Sequence, residues 1–125
     1  AGTHRYELGL PKGLIEPHED LLEAANRELM EEVGYGARDL RHLTSFTLAP
    51  GYFEHVTHVV YAPDLYAQRA PGDEPEEIEV VPWRLSDLKS LLTQDDCSEA
   101  RSIAALYMVR DLIREAQEET QERRR

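Results

Sequence analysis

Residues 13–35 read GLIEPHEDLLEAANRELMEEVGY, and an amphipathic helix is predicted within this segment. Apolar side chains recur there at i, i+3, i+7 and i+11, which is the spacing of one face of an α-helix. These side chains are Leu22, Ala25, Leu29 and Val33. The pattern predicts a helix that begins near Asp20, after Pro17, and ends at Val33, because the following Gly34 is a typical helix stop.

Three glutamates lie on a second face of the predicted helix. Glu28, Glu31 and Glu32 follow i, i+3 and i+4, and each like-charge pair at this spacing costs an isolated helix roughly 0.2–0.5 kcal/mol. A cluster of carboxylate oxygens is the ligand set that Mg²⁺ or Mn²⁺ prefers. From spacing alone, an acidic helix face exposed to solvent is an equally good interpretation.

Residues on both sides of the helix complete a longer pattern. Gly13 is followed after five residues by Glu19, and after seven more by Arg27-Glu28-Leu29-Met30-Glu31-Glu32-Val33-Gly34-Tyr35. This resembles the Nudix box, Gly-x5-Glu-x7-Arg-Glu-U-x-Glu-Glu-x-Gly-U, where U is a bulky apolar residue. All seven specified identities are present, and the one departure is Tyr35, a more polar residue in the last apolar position. The resemblance implies an α+β fold, the Nudix α/β/α sandwich with a mixed sheet.

The resemblance to the Nudix hydrolases also implies a metal site. Glu28 and Glu32 would be direct ligands of Mg²⁺, or of Mn²⁺, and Glu31 would be a ligand or a water-mediated partner with a catalytic role. The backbone carbonyl of Lys12 would supply a further ligand. Arg27 would belong to the catalytic set by orienting the box glutamates. Divalent ions at such a site neutralise a pyrophosphate, so that water can break a P–O bond.

Segments outside the box resemble one branch of the family. Pro50 lies 16 residues after Gly34, an offset that resembles the marker of the branch acting on ADP-ribose and related ADP compounds. Residues 6–15, 23–28, 49–53, 72–76 and 99–101 strengthen this likeness. The resemblance implies a small nucleotide substrate in which ADP is joined to another group: ADP-ribose, reduced NAD or a diadenosine polyphosphate. Hydrolysis of ADP-ribose would release AMP and ribose 5-phosphate.

Family members often take one more carboxylate, as a base or an extra metal ligand, from a loop beyond the box. The polar loop at residues 72–77 supplies three candidates. We favour Glu76 and then Glu74 over Glu77, because those two lie within the Gly-Asp-Glu-Pro-Glu pattern of the likeness. The alternative for each of them is a solvated loop acid.

The rest of the chain alternates predicted strands and helices, which is typical of an α/β or α+β protein. Strands are predicted over residues 5–8, 40–49, 54–62 and 78–83, with a Pro50-Gly51 turn between the second and third. Helices are predicted over residues 86–92 and 98–116, the second with Ile103, Leu106, Val109 and Ile113 on one face. Trp83 is expected in the core. We assign residues 1–116 to the Nudix domain and residues 117–125 to a disordered tail.

Composition and charge limit the classes of partner. The chain of 125 residues has 25 Asp and Glu against 14 Lys and Arg, so its formal net charge is −11. This excess argues against binding to nucleic acid or to an anionic membrane, since both favour a basic surface. Cys97 is the one cysteine, which indicates a reducing, cytoplasmic location and a structural rather than nucleophilic role. His55 and His58 lie three apart on a predicted strand, so they face opposite sides and make a poor metal pair.

Two further expectations follow from the resemblance. In the family, several strands and part of the dimer surface precede the box, and the sequence before Gly13 does not contain them. We therefore expect an N-terminally incomplete domain whose native form is a homodimer.

The alternative functions are a non-catalytic Nudix-like nucleotide-binding module and a hydrolase of another nucleoside diphosphate derivative. The intact box glutamates favour a hydrolase, and Pro50 favours ADP compounds.

Overall fold

A computed structural model of the chain describes residues 8–49, 51, 55–70 and 79–124. The chain divides into two compact units. The first is Pro11–Val80, and the second joins residues 8–10 to residues 81–124. The described residues contain both helices and strands, which agrees with the predicted α+β class. None of their helices is both long and apolar enough to cross a membrane.

The helix of the first unit has the predicted start and stop. α1 covers Leu21–Glu28 and continues as a π-helical turn over Leu29–Val33. Asp20 caps it, because its carboxylate accepts a hydrogen bond of 2.8 Å from the backbone N–H of Glu23. Gly34 ends it with φ 85°, a left-handed conformation that favours glycine. The π turn was not predicted, since the 3.6-residue period assumes regular α-helix.

Two long antiparallel strands follow the helix. β1 covers Tyr35–Thr47 and β2 covers Val56–Ala67, in a register that pairs Tyr35 with Ala67. Both strands extend beyond their predicted bounds toward the helix. At that end Gly36 is buried and pairs with Tyr66, whose ring occupies the space that a side chain at Gly36 would need. In the described residues the sheet is this antiparallel pair, so the parallel part of the predicted mixed sheet is not among them.

The second unit packs around a small apolar core. A 3₁₀ turn over Leu85–Asp87 leads into α2, Leu88–Leu92, and the long α3 follows over Ala100–Arg123. The core consists of Leu88, Leu91 and Cys97, against which Leu8, Leu92, Ile103 and Leu106 pack. Burial raises the pKa of the Cys97 thiol, which disfavours the reactive thiolate. The buried position therefore agrees with the structural role predicted for this cysteine.

Three predicted elements differ from the structure. The strand predicted over residues 78–83 is wrong over its described part, since residues 79–84 are not in a strand. Trp83 is 38% exposed rather than in the core, and its indole N–H donates to the carbonyl of Asp87 at 2.9 Å. α3 continues past Ala116 to Arg123 through residues expected in the tail, because Gln, Glu and Arg are strong helix formers. Of the strand predicted at residues 5–8, only Leu8 is described, and it is not in a strand.

Candidate active site

Arg27 is the centre of the polar cluster on α1. Its Nε donates to Oε2 of Glu19 at 2.6 Å and its Nη2 donates to Oε1 at 2.9 Å, so the ion pair is bidentate. The same Nη2 donates to the carbonyl of Leu14 at 3.0 Å. The guanidinium thus ties the loop that precedes the helix to the last turn of α1.

The other side of the guanidinium holds two box glutamates. Nη1 of Arg27 donates to Oε1 of Glu28 at 3.0 Å and to Oε2 of Glu31 at 3.2 Å. One nitrogen therefore joins two carboxylates that come from successive turns of the helix. The excess of negative over positive charge around Arg27 suits a divalent cation.

The pairing of Glu19 with Arg27 stabilises the charged form of both side chains. Hydrogen bonds from Arg27, and then from the backbone N–H of Glu16, lower the pKa of Glu19 to about 2 from its ordinary value of 4.5. The same pairing raises the pKa of the Arg27 guanidinium. Glu19 is consequently a carboxylate at neutral pH and cannot act as a proton donor there.

Gly13 lies directly against the carboxylate of Glu28. A Cβ atom at this position would overlap the side chain of Glu28, so the residue must be glycine if the carboxylate is to keep its place. The requirement is a close approach, because Gly13 is not in the left-handed region. The loop backbone that follows Lys12 consequently packs on one of the predicted metal ligands.

Glu31 and Glu32 of the box lie in the π turn. Glu32 is 8% exposed, which is unusual for a carboxylate. The backbone carbonyl of Glu31 accepts a long hydrogen bond of 3.4 Å from Nη1 of Arg69, just after β2. The start of β1 is fixed to the helix as well, because the N–H of Ala37 donates to Oδ1 of Asn26 at 2.9 Å.

The carboxylates of Glu19, Glu28 and Glu31 accept hydrogen bonds from the Arg27 guanidinium and do not surround a common site. Among the side chains that the structure describes, no three from His, Cys, Asp and Glu are grouped closely enough to hold a metal ion as they stand. The donor chemistry nevertheless fits a hard divalent cation, since Glu28 and Glu31 offer carboxylate oxygens within reach of one nitrogen atom.

The structure therefore brings together some of the predicted site residues and leaves others outside. Arg27, Glu28 and Glu31 are in direct contact. Glu74, Glu76 and Glu77, and the marker residue Pro50, lie outside the described residues. Sequence reasoning missed the Leu14 carbonyl and the Arg69 side chain, because contacts between distant loops leave no local periodicity to detect.

Comparisons with known proteins agree with the box. The NUDIX domain family matches residues 2–106. The chain is 49% identical over 113 residues to the ADP compounds hydrolase NudE of Escherichia coli K12, covering 90% of this chain and 61% of that protein. It is 32% identical over 99 residues to the ADP-ribose pyrophosphatase of Bacillus subtilis 168, covering 78% of this chain and 54% of that protein.

A solved structure of a relative has a similar fold. The crystal structure of an ADP compounds hydrolase superposes with a TM-score of 0.83 at 47% identity, covering 88% of this chain and 60% of that one. The chain thus spans about three-fifths of the length of these relatives. The seven box identities, the assembled Arg27 cluster and these matches lead to one conclusion: the chain belongs to the Nudix family.

Proposed function

We propose that this protein hydrolyses the pyrophosphate linkage of ADP compounds in a metal-dependent reaction that releases AMP. The observation that carries the proposal is the box itself, in which Arg27 holds Glu19, Glu28 and Glu31 together. The relatives named as an ADP compounds hydrolase and an ADP-ribose pyrophosphatase support the substrate class. Because the chain spans only part of their length, its own activity has to be measured.

The proposed cation is Mg²⁺, with Mn²⁺ as an alternative, since hydrolases of this family generally use divalent metals. Glu28, Glu32 and Glu31 would hold it, together with the Lys12 carbonyl from the loop that packs on Glu28. When bound, the ion neutralises the pyrophosphate and lowers the pKa of a coordinated water. Arg27 would orient the Glu28 and Glu31 carboxylates toward the same side of the helix through its hydrogen bonds to both.

The finer features of the proposal rest on the family resemblance. The substrates would be ADP-ribose, reduced NAD and diadenosine polyphosphates, with ADP-ribose giving AMP and ribose 5-phosphate. Glu76, or failing that Glu74, would supply the additional carboxylate. The protein would act in the cytoplasm as a homodimer.

Chromatography of the products tests this proposal. The purified chain is incubated with ADP-ribose and Mg²⁺, with and without a chelator. We expect AMP and ribose 5-phosphate in equal amounts, and neither product after chelation. ADP-ribose that stays intact in the presence of folded protein and excess Mg²⁺ would contradict the proposal. If binding to the nucleotide then persists by calorimetry, the non-catalytic module becomes the better account.

A further inference from the structure

Two histidines and a serine form a polar cluster on the β1–β2 hairpin that the proposed hydrolysis does not use. Nε2 of His42 lies 3.0 Å from Oγ of Ser45, and Nδ1 of His58 lies 2.7 Å from the same oxygen. The two imidazole rings contact each other edge to face, with centroids 5.5 Å apart. All three side chains are exposed, so the cluster is open to solutes.

An irregularity in the sheet brings these residues to one face. Ser45 and His58 are paired across the hairpin, so their side chains point to the same side. His42 precedes Ser45 by three residues and would face the other side of a regular strand. The register shifts between His42 and Thr44, and such a bulge re-aims the side chains next to it. The bulge is why His42 also reaches Ser45.

The hydrogen bonds at Ser45 bring one nitrogen of each ring to the same oxygen. A serine hydroxyl has one proton and can donate it to only one nitrogen. Nε2 of His42 and Nδ1 of His58 are both directed at this oxygen, and the tautomer of each ring decides whether its nitrogen donates or accepts. If both nitrogens are unprotonated, both lone pairs point toward one location. Two imidazole nitrogens facing one point are a favourable ligand pair for Zn²⁺, Cu²⁺ or Ni²⁺ and a poor one for Mg²⁺.

We propose that His42 and His58 form a binding site for a divalent transition-metal ion such as Zn²⁺, with the Ser45 hydroxyl and water completing its coordination. Zinc–nitrogen bonds are about 2.0–2.1 Å long, so the rings need only small rotations about exposed side-chain bonds to close on an ion. The ion would lie between the two ring nitrogens, next to the Ser45 hydroxyl.

This site is separate from the carboxylates of the box. The pair Tyr35–Ala67 begins the hairpin next to the box, and Ser45–His58 lies ten residues further along β1. At roughly 3.3 Å per residue, Ser45 lies about 30 Å along β1 from Tyr35. Binding at one does not require the other, so the inference stands whether or not the chain hydrolyses ADP compounds.

Calorimetric titration of the full chain with Zn²⁺ tests the proposal, with excess Mg²⁺ present to occupy the box carboxylates. The variants are His42→Gln and His58→Gln. The matched control is His55→Gln, because the ring of His55 lies 3.2 Å from Thr57 Oγ1 and Thr57 faces away from His58. We expect one Zn²⁺ per chain, with affinity reduced about tenfold or more in each of the two variants because the chelate is lost. The control should retain the affinity of the unmodified chain.

Zinc binding that is equal in all four proteins, or no zinc binding to the unmodified chain, would overturn the proposal. Imidazole ¹⁵N spectra provide a second readout that does not depend on the variants. On addition of Zn²⁺, the resonances of His42 Nε2 and His58 Nδ1 should move to the range of metal-bound nitrogen. A change confined to the opposite nitrogens of both rings would contradict the geometry.

Discussion

Substitution of Gly34 by alanine tests how the end of the box helix is built. Gly34 has φ 85° and ψ 23°, and its N–H donates to the carbonyl of Leu29 at 2.9 Å. Alanine keeps that hydrogen bond but places a Cβ in the left-handed region, which costs an L-residue roughly 1–2 kcal/mol. The added Cβ would lie 3.0 Å from Nη2 of Arg69, the end of an exposed side chain that can move away at little cost.

The conformational cost dominates in this account. The loss of chain freedom in the unfolded state returns about 0.4–1 kcal/mol, so Gly34→Ala should destabilise the chain by about 1 kcal/mol. The corresponding fall in melting temperature is about 4 °C for a chain of this size. Urea unfolding of the unmodified chain and of Gly34→Ala, followed by circular dichroism, measures the difference in their free energies of unfolding.

Gly34→Asn is the matched control. Asparagine also adds a Cβ but adopts the left-handed conformation more readily than alanine, so it should lose clearly less stability. If contact with Arg69 dominated instead, the bulkier asparagine would lose as much stability as alanine or more. Arg69→Ala would then remove the stability difference between Gly34→Ala and the unmodified residue. Either of those two results would refute the reasoning.

Two further predictions concern the cluster around Arg27. The depressed pKa of Glu19, about 2 against 4.5, means that its pairing contributes stability in full above pH 4.5, and that this contribution is lost as the pH falls toward 2. Urea midpoints measured across this range should fall more steeply for the unmodified chain than for Glu19→Gln, and parallel curves would contradict the pairing. Gly13→Ala should displace the Glu28 carboxylate. It should reduce kcat/KM for ADP-ribose about 10- to 100-fold, with little change in the urea midpoint. An unchanged kcat/KM would show that the close approach of Gly13 to Glu28 is not needed.

The helix of the box could be predicted from the sequence because its signals are local. The spacing of the apolar side chains from Leu22 to Val33 predicted the length of the helix. Asp20 predicted where it starts, and Gly34 predicted where it ends. The start of β1 at Tyr35 could not be predicted in the same way. Gly36 is a weak strand former, and it is held in the strand by pairing with Tyr66 on β2. Such pairing depends on residues far away in the sequence.

The candidate site also combines features that the local sequence predicts with features that it does not. Spacing predicted that Glu28 and Glu31 lie on one face of the helix, and both contact one nitrogen of Arg27. The π turn that carries Glu31 was not predictable, because nothing in the 3.6-residue period marks it. The contact between the rings of His42 and His58 depends on a bulge in β1, which strict alternation along a strand cannot anticipate.

The most direct test of the central claim compares two glutamate variants of the same helix. Glu32→Gln replaces a buried box carboxylate, whereas Glu23→Gln replaces an exposed glutamate on α1 that is not part of the box. The measured quantity is the rate of AMP release from ADP-ribose at saturating Mg²⁺, with folding of both variants checked by circular dichroism. We expect Glu32→Gln to lose at least about 100-fold in kcat, the scale of a lost metal-polarising or charge-stabilising group, and Glu23→Gln to retain the rate of the unmodified chain. Equal rates in the two variants would contradict catalysis at the box.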